Sequence, residues 1–225
     1  MLRKSLFSFF ILLLLPFSAL AIPAITCHCF TDRTFDPARP AVADPYFLAT
    51  TQNTFFSIVF GLDKKSIVLM KQKGTPADDL WIAYRVAALS DRTPETLLLA
   101  RASKASWSEV LAPLRLSPQA AKTNFSSAIT SRASDARLAQ SVVDDLFISY
   151  RLLSAGELAT LRKSGISHQE LILAALISAK TGQPAERIYR EVTAGGKSWG
   201  EKILEGKIDI NEIEAEISAL LKGTK

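Results

Sequence analysis

The chain has 225 residues, almost half of them hydrophobic, and carries 27 basic against 22 acidic side chains. This length is enough for one sizeable hydrophobic core or two small ones, and two cysteines exclude a scaffold held together by many disulfides. The slight basic excess lacks the clustering of lysine and arginine that marks a nucleic-acid-binding surface, so we expect no nucleic-acid partner.

Residues 1–21 have the pattern of a secretory signal peptide. Arg3 and Lys4 supply positive charge, residues 6–15 form an apolar run, and Ala-Leu-Ala at 19–21 is the small-x-small pattern that signal peptidase cleaves. The apolar run is shorter than the about 20 residues that a membrane-spanning helix needs, which favours a cleaved leader over an uncleaved anchor. The sequence therefore predicts an exported soluble protein, periplasmic or secreted, with no membrane attachment after cleavage.

Residues 22–43 are rich in proline, and we expect them to be extended. They contain both cysteines of the chain, in the order Cys27, His28, Cys29. Lipid attachment at Cys27 is disfavoured, because the residues before it do not match a lipidation site.

Three interpretations of this motif remain open. In an oxidising compartment the two thiols could form a disulfide that pins the segment or links two copies into a homo-oligomer, and we favour this one. Two thiolates and one imidazole would also suit copper or zinc, as ligands Cys27, His28 and Cys29, although zinc ribbons and c-type haem sites have two residues between their cysteines. A disulfide between residues two apart would be strained and therefore redox-active.

Residues 44–225 are predicted to form an all-α domain of about ten short helices, because alternating strand patterns are absent and capping signals recur. Four capping residues precede a proline, which favours the first helical position: Asp44, Thr75, Thr93 and Ser117. Five more have a glutamate three residues later, as in a capping box: Ser106, Ser154, Ser167, Ser198 and Asp209. The run Leu-Ile-Leu-Ala-Ala-Leu-Ile at 171–177 is apolar on every side and predicts the most buried helix. The last helix is amphipathic, with one apolar face that includes Ile213 and Ile217.

Similar segments recur along this domain. Residues 78–86 (DDLWIAYRV) match 144–152 (DDLFISYRL), and residues 101–111 match 162–172. A third copy runs over residues 171–204 and shares its first helix with the second. This predicts about three related helical units, which bury their apolar faces by stacking into a compact or solenoid-like array.

Several features that resemble functional sites have structural explanations. The glycine-rich stretch at 195–200 lacks the spacing and the preceding strand of a phosphate-binding loop, and a helix stop followed by a serine cap explains it. Trp107, Trp199 and His168 occupy matching positions just after a cap, which indicates packing between units. The aspartate pairs at 78–79 and 144–145 point in different directions on a helix, so we expect solvated charge rather than an acid and a base.

No arrangement of nucleophile, base and orienting group is visible, and the chain has only two histidines. We therefore expect an exported helical interaction or structural protein with no catalysis of its own, whose protein partner the sequence does not identify. The alternative is a periplasmic metal-binding or thiol-redox protein that uses Cys27, His28 and Cys29.

Overall fold

The computed structural model describes residues 35–116 and 122–223. Within these ranges the chain forms one 3-10 helix, twelve α-helices and no strand, which confirms the all-α prediction. The 3-10 helix spans Pro40–Ala43, so the proline-rich segment ends in a helical turn rather than in extended chain. The α-helices are α1 (Asp44–Phe60), α2 (Lys64–Gln72), α3 (Ala77–Ala87), α4 (Pro94–Ala102), α5 (Trp107–Leu111), α6 (Asn124–Thr130), α7 (Asp135–Ser149), α8 (Ala155–Lys163), α9 (His168–Thr181), α10 (Ala185–Thr193), α11 (Trp199–Glu205) and α12 (Ile213–Lys222).

Most of the predicted caps are present. Ser154, Ser167 and Ser198 each form a capping box, in which the serine oxygen accepts an amide N–H three residues later and the glutamate accepts the serine's own N–H. Thr93 caps α4 through its side chain, with proline at the first helical position. Ser106 stands at the N-cap of α5 but makes no side-chain capping bond.

Two predicted caps are wrong, and a third is displaced. Asp44 is the first residue of α1 rather than its cap. Asp209 lies in a turn, and α12 begins only after Glu212. Thr75 is not the cap of α3, because the N-cap is the next residue, Pro76. Ser117, the fourth cap predicted to precede a proline, lies outside the described residues.

Helix α9 is the centre of the core, as its apolar sequence predicts. All seven residues from Leu171 to Ile177 are buried, and α9 packs against α1, α10, α11 and α12. Because a helix surrounded by other helices has no solvent-facing side, it carries apolar residues all round. The buried apolar residues form one continuous cluster that also includes Trp107 and Trp199, which are packing residues as predicted.

Helices α1, α3 and α7 run in the same direction. Phe56 of α1 packs edge-on against Trp81 of α3, with ring centroids 4.6 Å apart, and Phe60 lies 5.7 Å from Tyr84 one turn further along both helices. Helices α3 and α7 pack side by side, and Arg101 bridges aspartates in their first turns, Asp79 and Asp135. The C-terminal ends of all three helices therefore point to the same side of the molecule.

The beginning and the end of the described chain are joined. The 3-10 helix packs against α11, and α1 packs against α12. The Asp44 carboxylate accepts the amide N–H groups of Trp199 and Gly200, at 3.0 and 2.7 Å. The helices thus close on one another compactly instead of extending as an open solenoid.

Each of the three similar segments contains a long helix, a nine-residue helix and a further helix. These are α3–α4–α5, α7–α8–α9 and α9–α10–α11. The first residue of each third helix also lies beside an aspartate in the first turn of another helix. The Trp107 amide donates to Asp135, the Trp199 amide donates to Asp44, and the His168 ring lies 3.9 Å from a carboxylate oxygen of Asp78.

Candidate functional site

A large cleft lies where the first described residues meet the start of α12. Its volume is about 1130 Å³. One wall comes from residues 35–50, and the other comes from residues 210–218. We call it the terminal cleft. Its larger apolar lining residues are Phe35, Val42, Tyr46 and Ile210, together with Phe47 and Ile213, which are buried. Val42 is 65% exposed, an unusual environment for a valine.

Charged groups of both signs surround this apolar lining. The basic residues of the lining are Arg39 and Lys64, and its acidic residues are Asp36, Glu212 and Glu214. Asp36 accepts hydrogen bonds from the Arg39 guanidinium and from a backbone amide, both at 2.9 Å. These bonds stabilise the ionised carboxylate and hold the pKa of Asp36 below its ordinary value. The rim is therefore charged and close to balanced in sign.

The N-terminus of α12 also opens into the terminal cleft. Ile213, Glu214 and Ala215 are the first three residues of this helix, and all three line the cleft. The N-cap residue, Glu212, makes no side-chain capping hydrogen bond. The first amides of a helix have no acceptor within the helix, so the cleft presents backbone donors beside its apolar wall.

The three residues that the sequence indicates as a site, Cys27, His28 and Cys29, lie outside the described residues. Covalent geometry still limits their distance from the terminal cleft. Cys29 precedes Phe35 by six residues, which span at most about 20 Å when fully extended. Within residues 35–116 and 122–223, no group of three or more histidine, cysteine, aspartate or glutamate side chains is arranged to hold a metal ion.

His168, the other histidine, is embedded in the helix packing. Its side chain is 15% exposed and lies beside Asp78. Burial, reinforced by the charge of Arg162, lowers its pKa to about 3. The ring is therefore neutral at pH 7, and its contact with Asp78 is not an ion pair.

Three of the four paired aspartates are structural rather than solvated, contrary to the prediction, whereas the Asp78 side chain is 44% exposed. The Asp79 carboxylate accepts the indole N–H of Trp107 at 2.7 Å. Asp145 accepts the first two amides of α6. Asp144 is 8% exposed and pairs with Arg162 at 2.8 Å. Sequence spacing alone did not identify these partners, which lie 18 to 28 residues away.

Within the described ranges, no helix is both long enough and apolar enough to cross a bilayer. Comparison of the chain with protein-family models, with curated proteins and with solved structures yields no match.

Proposed function

We propose that the protein is an exported helical interaction module without catalysis of its own, and that its terminal cleft holds a polypeptide segment of a protein partner. The observation that carries the proposal is the cleft itself. At about 1130 Å³ it exceeds the usual size of a small-molecule pocket, about 300–1,000 Å³.

The lining of the cleft suits a peptide. The apolar contact surface comes from the exposed Val42 and the half-buried Phe35, Tyr46 and Ile210, and charged residues lie beside it. The free amides at the start of α12 would donate to backbone carbonyls of the bound segment. The rim carries both positive and negative charges, which favours a partner segment of mixed charge over one with a strong charge of a single sign.

The proposal includes three related helical units behind this cleft. Its support is the shared helix order and the aspartate beside the first residue of each third helix. Such arrays serve as rigid platforms for binding surfaces.

Photo-crosslinking from inside the cleft tests the function. A photoreactive amino acid replaces Ala215, which lies in the cleft wall. A matched control carries it at Leu99, which is 75% exposed and outside the cleft. In cells that express the chain, we expect a covalent adduct with one other polypeptide in the exported fraction from position 215 and not from position 99.

Two results would contradict the proposal: equal labelling from both positions, or adducts only to residues 22–34 of the same chain. The second result would mean that the chain fills its own cleft. Recovery of the protein in the cytoplasm with its first 21 residues intact would contradict export.

The alternative function is metal binding or thiol-redox work by Cys27, His28 and Cys29. The supporting observation is that the only two cysteines of the chain flank a histidine. Purified protein with Cys27→Ser would then lose bound copper or zinc, or thiol reactivity, while its helical circular dichroism stays unchanged. Unchanged metal content and reactivity would exclude this alternative.

A further inference from the structure

A second cavity lies where the C-terminal ends of α1, α3 and α7 converge. Its volume is about 480 Å³, within the range of small-molecule pockets. It shares no lining residue with the terminal cleft. We call it the arginine cavity, because Arg85 and Arg151 both line it.

One half of the arginine cavity is apolar, and the other half consists of hydrogen-bonding groups. The apolar lining is Val59, Phe60, Ala88 and Leu146. The polar lining adds the hydroxyl groups of Ser149 and Tyr150 to the two guanidinium groups. The lining contains no carboxylate.

Neither arginine is neutralised by the part of the protein that the structure describes. No described carboxylate lies within ion-pair distance of Arg85 or Arg151, whereas Arg101 and Arg162 each bind aspartates. The Arg85 Nε atom is also buried without a hydrogen-bond partner among these residues. Arg101 and Arg162 also have one such buried nitrogen each, but their guanidinium groups are paired with aspartates, and that of Arg85 is not.

The two arginines occupy matching places in the similar segments. Arg85 follows Tyr84 in DDLWIAYRV, and Arg151 follows Tyr150 in DDLFISYRL. Because α3 and α7 pack side by side in the same direction, their matching C-terminal ends meet at one cavity. Arg151 has φ +52°, the left-handed conformation that ends α7 and that glycine usually adopts.

We propose that the arginine cavity binds an organic carboxylate with a short hydrocarbon chain. The guanidinium fork matches the geometry of a carboxylate and binds it through paired hydrogen bonds. The Tyr150 hydroxyl supplies a further donor, whereas the Ser149 hydroxyl already donates to the Leu146 carbonyl at 3.0 Å. The apolar part of the lining holds the hydrocarbon.

Isothermal titration of the purified protein with a series of straight-chain carboxylates tests the proposal. From acetate to octanoate, we expect the affinity to rise about fourfold for each added methylene group until the cavity is filled. Octan-1-ol, which has the same chain without the charge, should bind at least about tenfold more weakly, since a charge-assisted hydrogen bond is about twice as strong as a neutral one. Inorganic phosphate is the third probe.

Arg151→Gly is the decisive variant, because glycine suits the backbone conformation at this position and the fold should persist. We expect it to weaken octanoate binding at least about tenfold, the loss expected for a charge-assisted hydrogen bond. Arg85→Lys keeps the charge but removes the fork, and should also weaken binding. Arg92→Ala, at an exposed arginine beside Asp91, is the control and should bind octanoate like the unaltered protein.

Equal octanoate affinity in Arg151→Gly and the unaltered protein would overturn the proposal. So would the absence of saturable binding, since the two arginines would then serve only to balance the partial negative charge of the helix ends. Tighter binding of phosphate than of octanoate would overturn the assignment of a carboxylate ligand.

Discussion

Lys207 follows the C-terminal turn of α11 in a backbone conformation that non-glycine residues rarely adopt, with φ +49°. The amide of the next residue, Ile208, donates to the Ile203 carbonyl and closes the helix. The left-handed conformation costs an L-residue about 1–2 kcal/mol. The chain accepts this cost because the turn redirects it toward α12.

Replacing Lys207 by glycine removes this cost. We expect Lys207→Gly to raise the free energy of unfolding by about 1 kcal/mol, measured by chemical denaturation. Lys222→Gly is the control, because Lys222 has ordinary helical geometry in α12 and glycine should destabilise a helix there. A loss of stability in Lys207→Gly would show that its side chain contributes more than the strained turn costs.

His168 should make the stability of the protein depend on pH. Its pKa is about 3 in the folded chain, against an ordinary value of 6.5, so the unfolded chain binds the proton more tightly. The stability is therefore fully present above pH 6.5 and falls as the pH drops from 6.5 toward 3. At pH 5 we expect a loss of about 2 kcal/mol relative to pH 7.5.

Urea denaturation at both pH values checks this expectation, with His168→Gln and His28→Gln as a matched pair. The loss should disappear in His168→Gln and persist in His28→Gln. A loss of the same size in His168→Gln would contradict the assignment. Asp78, whose pKa is raised chiefly by burial, acts in the opposite direction, and only as the pH approaches the range in which it is protonated.

At the scale of the elements, the helix N-termini are capped from two sources. Serine or threonine three residues before an amide caps several helices locally, whereas aspartates from distant helices cap α5, α6 and α11. Helix α11 uses both sources, because Ser198 binds its third amide and Asp44 binds the first two. Asp44 thus connects two helices that lie 155 residues apart in the sequence.

Removing the Asp44 carboxylate leaves two half-buried amides of α11 without an acceptor. We expect Asp44→Ala to lower the free energy of unfolding by about 2 kcal/mol, and Asp44→Asn to lower it less, because the amide oxygen still accepts one bond. Asp91→Ala is the control, since the Asp91 side chain is 94% exposed. Equal effects of Asp44→Ala and Asp91→Ala in thermal denaturation would contradict the role of this cap.

At the scale of the whole molecule, the closest contact between the two ends is at Gly200. A methyl group at this position would lie 2.2 Å from the backbone oxygen of Pro40, too close for any two atoms that are not bonded. The 3-10 helix therefore packs against the bare backbone of α11. Pro40 is followed within three residues by Val42 and Ala43, which line the terminal cleft.

Gly200→Ala should separate the 3-10 helix from α11. We expect it to lower the free energy of unfolding by at least about 2 kcal/mol, as overpacking does. Gly156→Ala is the matched control, because a methyl group there meets no atom within 4 Å and α8 should gain about 0.5–1 kcal/mol. The reverse order of the two effects would show that the ends do not pack as described.

The oxidation state of Cys27 and Cys29 is also a prediction about the whole molecule, and intact protein is needed to test it. We expect protein from the exported fraction to begin at residue 22 and to contain a disulfide. Intact mass measured before and after reduction distinguishes the cases. Reduction adds the mass of two hydrogens for a disulfide within the chain and halves the mass for a linked dimer. No change on reduction, with free thiols in both samples, would contradict the disulfide.

The sequence by itself determined the all-helical fold, the N-cap residues of five of the twelve α-helices and the helix at the centre of the core. Capping boxes join residues three apart, so they depend only on local backbone geometry. The apolar run at 171–177 has no polar side, so it can only be surrounded. The wrong prediction at Asp44 follows from the same limit, because a local spacing does not reveal that its partners lie 155 residues away. At Asp209 the competing partner is local, since its carboxylate accepts the Asn211 amide in a turn before α12.

Only the tertiary structure decided which distant groups meet. It placed the aspartates of both pairs against tryptophan, arginine and helix ends, closed the two ends of the array through Asp44 and Gly200, and formed the terminal cleft and the arginine cavity. Each of these features joins residues from separate helices. Their positions depend on how the apolar faces pack against one another, and a periodic sequence specifies which face is buried without specifying against which neighbour.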